Sequence, residues 1–233
     1  MKRTLPNKSS KTILAIAMTL TLFGAGSYLL GWSNLLTVKE VEINGAPTKS
    51  AEVEIAKGLG LKVGDQLARV DSRALSNRIE ARDWVNSVDI SRNWFNGRVV
   101  IDISPRVPVA LFSSLGKPQL ALDASGREFK APGEIPPGLP NVSASSVASG
   151  LVATEVFTQM PKSFSKDIER LTAITPTNIT IFGKFSDKRL QIIWGDGEET
   201  SLKIKVVNAL LDRPENKSIK LIDVSAPHAP IVK

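Results

Sequence analysis

A run of 21 residues without a charge, Thr12 to Trp32 (TILAIAMTLTLFGAGSYLLGW), constrains this chain more than any other feature. As an α-helix rising about 1.5 Å per residue it extends roughly 30 Å, the thickness of a bilayer's hydrocarbon core. Thr19, Thr21 and Ser27 can bond back to helix carbonyls, while Tyr28 and Trp32 sit toward one end, where amphipathic rings favour the membrane interface. Lys2, Arg3, Lys8 and Lys11 precede the run with no acid among them. The positive-inside rule therefore predicts a cytoplasmic basic tail at 1–11, a transmembrane helix at 12–32 and about 200 residues outside the cell membrane. A cleaved signal peptide competes, because Gly24-Ala25-Gly26-Ser27 satisfies a loose cleavage pattern. Apolarity continues past that site through Tyr28, Leu29 and Leu30, which favours a retained single-pass anchor. Both readings export the same domains.

The formal charge of +7 suggests nucleic acid until its distribution is examined. Four of those charges lie in the first eleven residues, leaving 7 − 4 = +3 for the remainder, and no later stretch interleaves aromatics with dense basic residues. No nucleic-acid partner is expected. With no cysteine and a single histidine, His228, thiolate zinc, iron–sulfur and multi-histidine metal sites are excluded, and no metal or cofactor is expected.

Beyond the anchor, residues 36–44 (LTVKEVEIN) set Val38, Val41 and Ile43 against Lys39, Glu40 and Glu42, the alternation of a half-buried strand, closed by Asn44-Gly45. A helix follows, with Ser50 as N-cap and Ala51, Ile55 and Leu59 on one face. The connector Gly60 to Leu67 leads to a second helix capped by Asp71, with Leu75, Ile79 and Trp84 facing inward. Two strands complete the unit: Val85, Val88 and Ile90 mark one, Val99, Ile101 and Ile103 the other, joined by Asn96-Gly97. The order strand, helix, helix, strand, strand, with Gly60-Leu61-x-x-Gly64-Asp65-x-Leu67 in the middle and Trp94-Phe95-Asn96-Gly97 before the last strand, resembles a POTRA domain.

Past Pro105 the pattern changes to short strands. Val109 to Phe112 and Leu120 to Leu122 read as strands, Asp123 to Gly126 as a hairpin turn and Arg127 to Lys130 as the return. Residues 131–150 read as a loop holding a short strand near Leu139 to Val142, and Leu151 to Ile168 as mostly helical with a break at Pro161. Asn178 to Phe182 and Arg189 to Trp194 read as paired strands, Gly195-Asp196-Gly197 as a hairpin turn, and Leu202 to Leu211 as a helix burying Val206, Val207, Leu210 and Leu211. A final strand, Ile219 to Val224, precedes a tail containing Pro227 and Pro230.

Few constellations carry chemistry. Ser163-Phe164-Ser165-Lys166 matches the Ser-x-x-Lys of penicillin-binding proteins, but the companion Lys-Thr-Gly is absent and a solvated helix end explains it better. His228, between Pro227 and Ala229, is badly placed to serve a serine triad. Asp65 and Asp71, or Asp196 with Glu198 and Glu199, lack calcium-loop spacing and read as turns and caps. Trp84 and Trp94 read most simply as core or rim residues of the small sheet, with a binding contact as the alternative for an exposed Trp94.

The basic start, single membrane helix, POTRA-like unit and second β-rich domain together resemble the bacterial division protein family FtsQ/DivIB. Val41-Glu42-Ile43-Asn44-Gly45, the Gly60 to Leu67 connector, Val70-Asp71, Arg106-Val107-Pro108-Val109-Ala110, Leu122-Asp123-x-x-Gly126 and Ile222-Asp223-Val224 stand in the family's order. Pro105 departs from it, standing where the family commonly has an acid. The resemblance implies an α+β protein: transmembrane helix 12–32, POTRA domain 36–105, a mainly antiparallel β domain with helices at 106–225, and a tail at 226–233. It also implies no enzyme, but a scaffold at the division septum that recruits and regulates septal peptidoglycan synthesis through FtsB-like and FtsL-like membrane proteins. The partner would pair by β-augmentation with the last strand, here Ile219, Lys220, Leu221, Ile222, Asp223 and Val224. Unpaired N–H and C=O groups on an edge strand make that reasonable. Two other classes stay open: a POTRA-type polypeptide chaperone in transport, and an anchored serine hydrolase using Ser163 and Lys166.

Overall fold

The structure is a computed structural model that describes residues 8–32, 36–114 and 117–233, with side chains from 12 to 28 in the first stretch. Helix α1, Lys8–Trp32, runs unbroken for 25 residues. Within it the Thr19 and Thr21 hydroxyls donate to the Ala15 and Ala17 carbonyls at 2.9 Å, as expected of polar groups in an apolar helix. Ile13, Leu20 and Phe23 are exposed. Among the described residues no helix is long and apolar enough to cross a membrane, and the side chains that end the expected span, 29–32, lie outside that set.

The chain divides after Pro105 into two compact units. The first contains β1 (Glu40–Asn44), α2 (Lys49–Leu59), α3 (Ser72–Glu80), β2 (Val85–Asn93) and β3 (Arg98–Pro105), in the α+β order expected. β3 lies at the centre of its sheet, parallel to β1 with Ile43 opposite Ile101 and antiparallel to β2 with Ile90 opposite Ile101. Its alternate residues Val99, Ile101 and Ile103 are buried, as are Ala51, Ile55 and Leu59 on α2 and Leu75 and Ile79 on α3. Thr48, not Ser50, caps α2: its extended backbone lets Oγ1 accept from Ala51 N at 3.1 Å. Asp71 caps α3 by accepting from Ala74 N at 3.0 Å. Arg92 on β2 donates to the Leu67 and Val70 carbonyls, tying the connector to the sheet.

The second unit contains β4 (Pro108–Ser114), β5 (Leu120–Asp123), β6 (Glu128–Phe129), β7 (Asn141–Ala144), α4 (Val147–Gln159), α5 (Lys162–Ser165), β8 (Ile168–Thr175), β9 (Asn178–Phe185), β10 (Lys188–Gly195), α6 (Thr200–Leu211), β11 (Leu221–Asp223) and β12 (Ile231–Val232). Its nine-stranded sheet runs β12-β11-β10-β9-β8-β7-β4-β5-β6. Five of these pairings are antiparallel; β4 with β7, β7 with β8 and β10 with β11 are parallel. One core gathers Phe112, Val142, Leu171, Ile181, Trp194 and Ile222 from the sheet with Val156, Phe164 and Val207 from the helices. Phe164 packs at tilted angles on Phe185 and Trp194, with ring centroids 5.0 and 6.1 Å away. Gly150 brings α4 onto β4 closely enough that a Cβ there would lie 2.4 Å from the Phe112 ring.

Three sequence expectations change between α4 and α6. The helical reading to Ile168 stops at Gln159 and after the short α5; β8 then takes the middle of the sheet, where its neighbours on both sides bury Leu171 and Ala173. Gly195-Asp196-Gly197 is not a hairpin turn. The β9–β10 hairpin closes at Ser186 and Asp187, both left-handed, as a two-residue loop between twisted strands requires. Gly195 to Gly197 instead carries the chain into α6, where Lys203, 1% exposed, donates to Asp196 O and Oδ1 at 3.1 and 2.8 Å and lies 5.8 Å from the Trp194 ring centre. The hydrogen bond from Lys203 holds the Asp196 carboxyl below its ordinary pKa. α6 consequently turns Lys203, Ile204 and Val207 fully inward and leaves Val206, Leu210 and Leu211 half-buried against the core.

Asp123 organises the start of this unit. Its Oδ2 accepts from Arg106 Nη1 at 2.7 Å; Oδ1 accepts from Ser125 N, Ser125 Oγ and Arg127 N at 2.9, 2.6 and 2.8 Å. The Arg106 and Leu122-Asp123-x-x-Gly126 motifs are thus joined by one nearly buried ion pair. Burial alone would raise the Asp123 pKa, but the hydrogen bonds from Ser125, Arg106 and Arg127 outweigh it and lower the value. A depressed carboxylate stabilises the fold above its unfolded pKa, and that contribution is lost as pH falls through the folded pKa. Asp123→Asn is expected to cost about 3 kcal/mol in a denaturant melt at neutral pH, because the nearly buried ion pair with Arg106 and the charge-assisted hydrogen bonds from Ser125 and Arg127 are lost or weakened. The difference from the parent chain should begin to shrink below about pH 4, where the unfolded carboxylate takes up a proton, and be gone once pH has fallen through the lower folded pKa.

Candidate partner-binding edge

Of the residues expected to bind a partner, Leu221, Ile222 and Asp223 form β11, and Ile219, Lys220 and Val224 flank it. β11 runs parallel to β10 with Ile222 opposite Ile192. Gln191 N donates to Lys220 O at 3.0 Å and Val224 N to Ile193 O at 2.9 Å, so this side of the strand is fully engaged. Ile222 and Val224 are buried in the core, while Lys220 is exposed.

The other side of β11 is not the uncovered edge that the sequence suggests. Asp223 Oδ1 accepts from Ser225 N and Oγ at 3.0 and 2.7 Å, and Ala229 N donates to Ala226 O at 3.0 Å. These turns reverse the chain, and β12 returns antiparallel to β11, with Val232 opposite Ile222 and Ile231 opposite Asp223. Lys220 N and Leu221 N both donate to Lys233 O, at 2.8 and 3.0 Å, and Lys233 N returns a bond to Leu221 O at 3.0 Å. Residues 226–233 therefore contain a strand. Pro227 and Pro230 hide it in the sequence, because prolines beside so short an apolar pair read as loop.

The sheet's outer edge consequently lies on β12. Leu221 and Lys233 exchange hydrogen bonds in both directions, so in an antiparallel ladder Val232, next in alternation, turns its N–H and C=O away from β11. Ile231 is exposed and Val232 half-buried. An extended segment laid here would find backbone groups to complete and an apolar side chain beside them.

The remaining sequence candidates do not converge. Ser163 and Lys166 are exposed on and just after the four-residue α5, and no hydrogen bond joins them. His228 is exposed with Nε2 3.4 Å from Glu199. Asp65 accepts from Lys62 N and Asp71 serves its helix, so each carboxylate works locally. Among the described residues no three His, Cys, Asp or Glu side chains are grouped to hold a metal ion. A cleft of about 450 Å³ lies between the end of α2, the connector and α3, but one of its arginines, Arg78, donates to Leu59 O.

Comparison with known proteins places this architecture. A family profile described as "POTRA domain, FtsQ-type" matches residues 36–106. A protein named "Cell division protein FtsQ" from Streptomyces venezuelae is 27% identical over 236 residues, covering 95% of this chain and 83% of the relative. The chain carries an FtsQ-type POTRA domain and is similar along most of its length to FtsQ proteins. Proteins of the same name from Streptomyces griseus and Corynebacterium glutamicum are each 26% identical, covering 86% and 77% of this chain and 98% and 80% of theirs.

The outermost position of β12 has a measurable consequence. Deleting residues 230–233 should leave the unit folded, since β12 contributes no fully buried side chain. Hydrogen exchange at the Lys220 and Leu221 amides should then accelerate at least about tenfold, while Val224, which donates to β10, stays protected. Equal acceleration at all three would mean that β12 holds β11 in place.

Proposed function

We propose that this protein is a membrane-anchored division scaffold, not an enzyme, which recruits and regulates the septal peptidoglycan-synthesis machinery through protein–protein contacts. Its relatives' name, "Cell division protein FtsQ", and the FtsQ-type POTRA match support the division role. The uncharged run 12–32 within the continuous α1 supports a single-pass anchor, and the basic residues before it support an N-terminus in the cytoplasm with the residues after the run outside.

The observation that carries the contact reading is the two-residue β12 at the end of the sheet. An FtsB-like or FtsL-like segment adds to this end as an extended strand on the outer edge of β12, with Ile219 to Val224 as the strand beneath. Three properties favour the arrangement. The edge is short, so it does not invite pairing with any passing chain; it is backed by Ile222 and Val224, which are buried and hold the inner strand rigid; and it ends beside exposed Lys220 and Lys233, which can meet an acidic residue on the partner.

Binding of purified partner ectodomains, measured by titration calorimetry, tests the assignment. Lys220→Pro removes an amide that donates to Lys233, and should loosen β12 and weaken the complex at least about tenfold while the melting curve shifts little. Deletion of 230–233 should abolish binding. Tighter binding after that deletion would move the partner onto β11 itself, and unchanged binding would remove this end of the sheet from the interface.

A further inference from the structure

The first unit displays apolar side chains where its chain enters. Phe95 is 100% exposed, Trp94 beside it 38% and Val63 71%. The two aromatic residues sit in the β2–β3 turn and Val63 in the connector after α2. Both loops grip the segment that leads into β1. Lys39 N donates to Gly97 O at 2.8 Å on the hairpin side; Val38 N donates to Asp65 O and Gly64 N to Val38 O, each at 2.8 Å, on the connector side. Gly97, left-handed at φ +74°, makes the hairpin approach possible, since a Cβ there would lie 2.6 Å from Thr37 O. The turn is also fixed from within: Asn93 Oδ1 accepts from Phe95 N and Asn96 N, and Asn96 Oδ1 from Arg98 N.

We infer that this rim, the Trp94-Phe95 turn with Val63, rests in the headgroup layer of the membrane, with the Phe95 ring seated at the lipid interface. The inference rests on the anchor reading of residues 12–32. Trp32 and Thr37 are five residues apart, which an extended chain spans in no more than about 18 Å. The gripped segment cannot lie far from the point where α1 leaves the bilayer, and the interfacial layer itself adds several ångströms to the hydrocarbon core. Aromatic rings favour that layer, and Arg92, 5.5 Å from the Trp94 ring centre, suits a boundary between apolar and anionic surroundings. Polybasic attraction is not the basis, because Arg98 is paired with Glu40 and Glu42 at 2.9 and 3.2 Å. Apolar seating is.

The absence of cysteine allows single-site labelling of the full chain. Asn96→Cys places a fluorophore beside an intact Phe95; Ser87→Cys places one six residues down β2 from the turn, about 20 Å away at ~3.3 Å per residue. Each is reconstituted in vesicles of phosphatidylcholine and phosphatidylglycerol carrying a quencher just below the headgroups. Quenching at position 96 should exceed that at 87 by about twofold or more, and Phe95→Ser should bring it down to the level at 87. Equal quenching at 96 and 87 would overturn the rim, as would quenching at 96 that ignores Phe95→Ser. Carbonate extraction of the same vesicles reads the anchor separately. A chain that remains membrane-bound with an unquenched position 96 refutes only the rim, and one that washes away refutes anchor and rim together.

Discussion

An open sheet must end somewhere, and its last strand presents backbone donors and acceptors that nothing in the sheet can pair. The second unit ends at both sides in strands of two residues, β6 and β12, so the number of unpaired groups is kept small. The two ends are anchored differently. β6 is fastened by the Asp123 network and by buried Phe129, whereas β12 is held chiefly by main-chain bonds to Lys220 and Leu221. Both ends keep an outer row of backbone groups, and the functional reading proposed above takes the more loosely held β12 as the end that receives a partner strand.

The rigidity of the inner strand comes from charges as well as from packing. Trp194, Phe164 and Phe185 fill the space beneath β10, and Lys203, held by Asp196, brings α6 over the same region. A buried ammonium is costly unless it is paired, and Asp196, just ahead of α6, supplies the partner for Lys203. β10 is thereby fixed at its C-terminal end, and β11, its parallel neighbour, inherits a defined register.

Much of this was legible in the sequence where one periodicity dominates. Val99, Ile101 and Ile103 alternate cleanly, and Ala51, Ile55 and Leu59 recur at four-residue spacing, so the first unit's order followed from local pattern. β8 was hidden because its inward residues include a small Ala173 and its first turn of sequence carries Glu169 and Arg170; its central place is decided by neighbours distant in sequence. The hairpin at Ser186 and Asp187 lacks the glycine that advertises such turns, whereas Gly195-Asp196-Gly197 has two and makes none. At the candidate edge, the sequence led to Ile219 to Val224 but not to the strand covering them. A two-residue strand between prolines has no period to detect, and only the fold-back from Ser225 reveals it.

Recognition through the outer edge of β12 would read main-chain atoms, which every residue except proline supplies alike. Substitutions on either partner would then be tolerated so long as the strand remains extended, and a pair of such proteins could diverge widely in sequence while keeping the same joint. Identities of 26 to 27% over 80 to 98% of the relatives' length are compatible with that freedom. The same tolerance shifts the burden of discrimination onto the few side chains at the margin, chiefly Ile231 and the two lysines, where a single change of charge would alter which partner is accepted without altering how it is held.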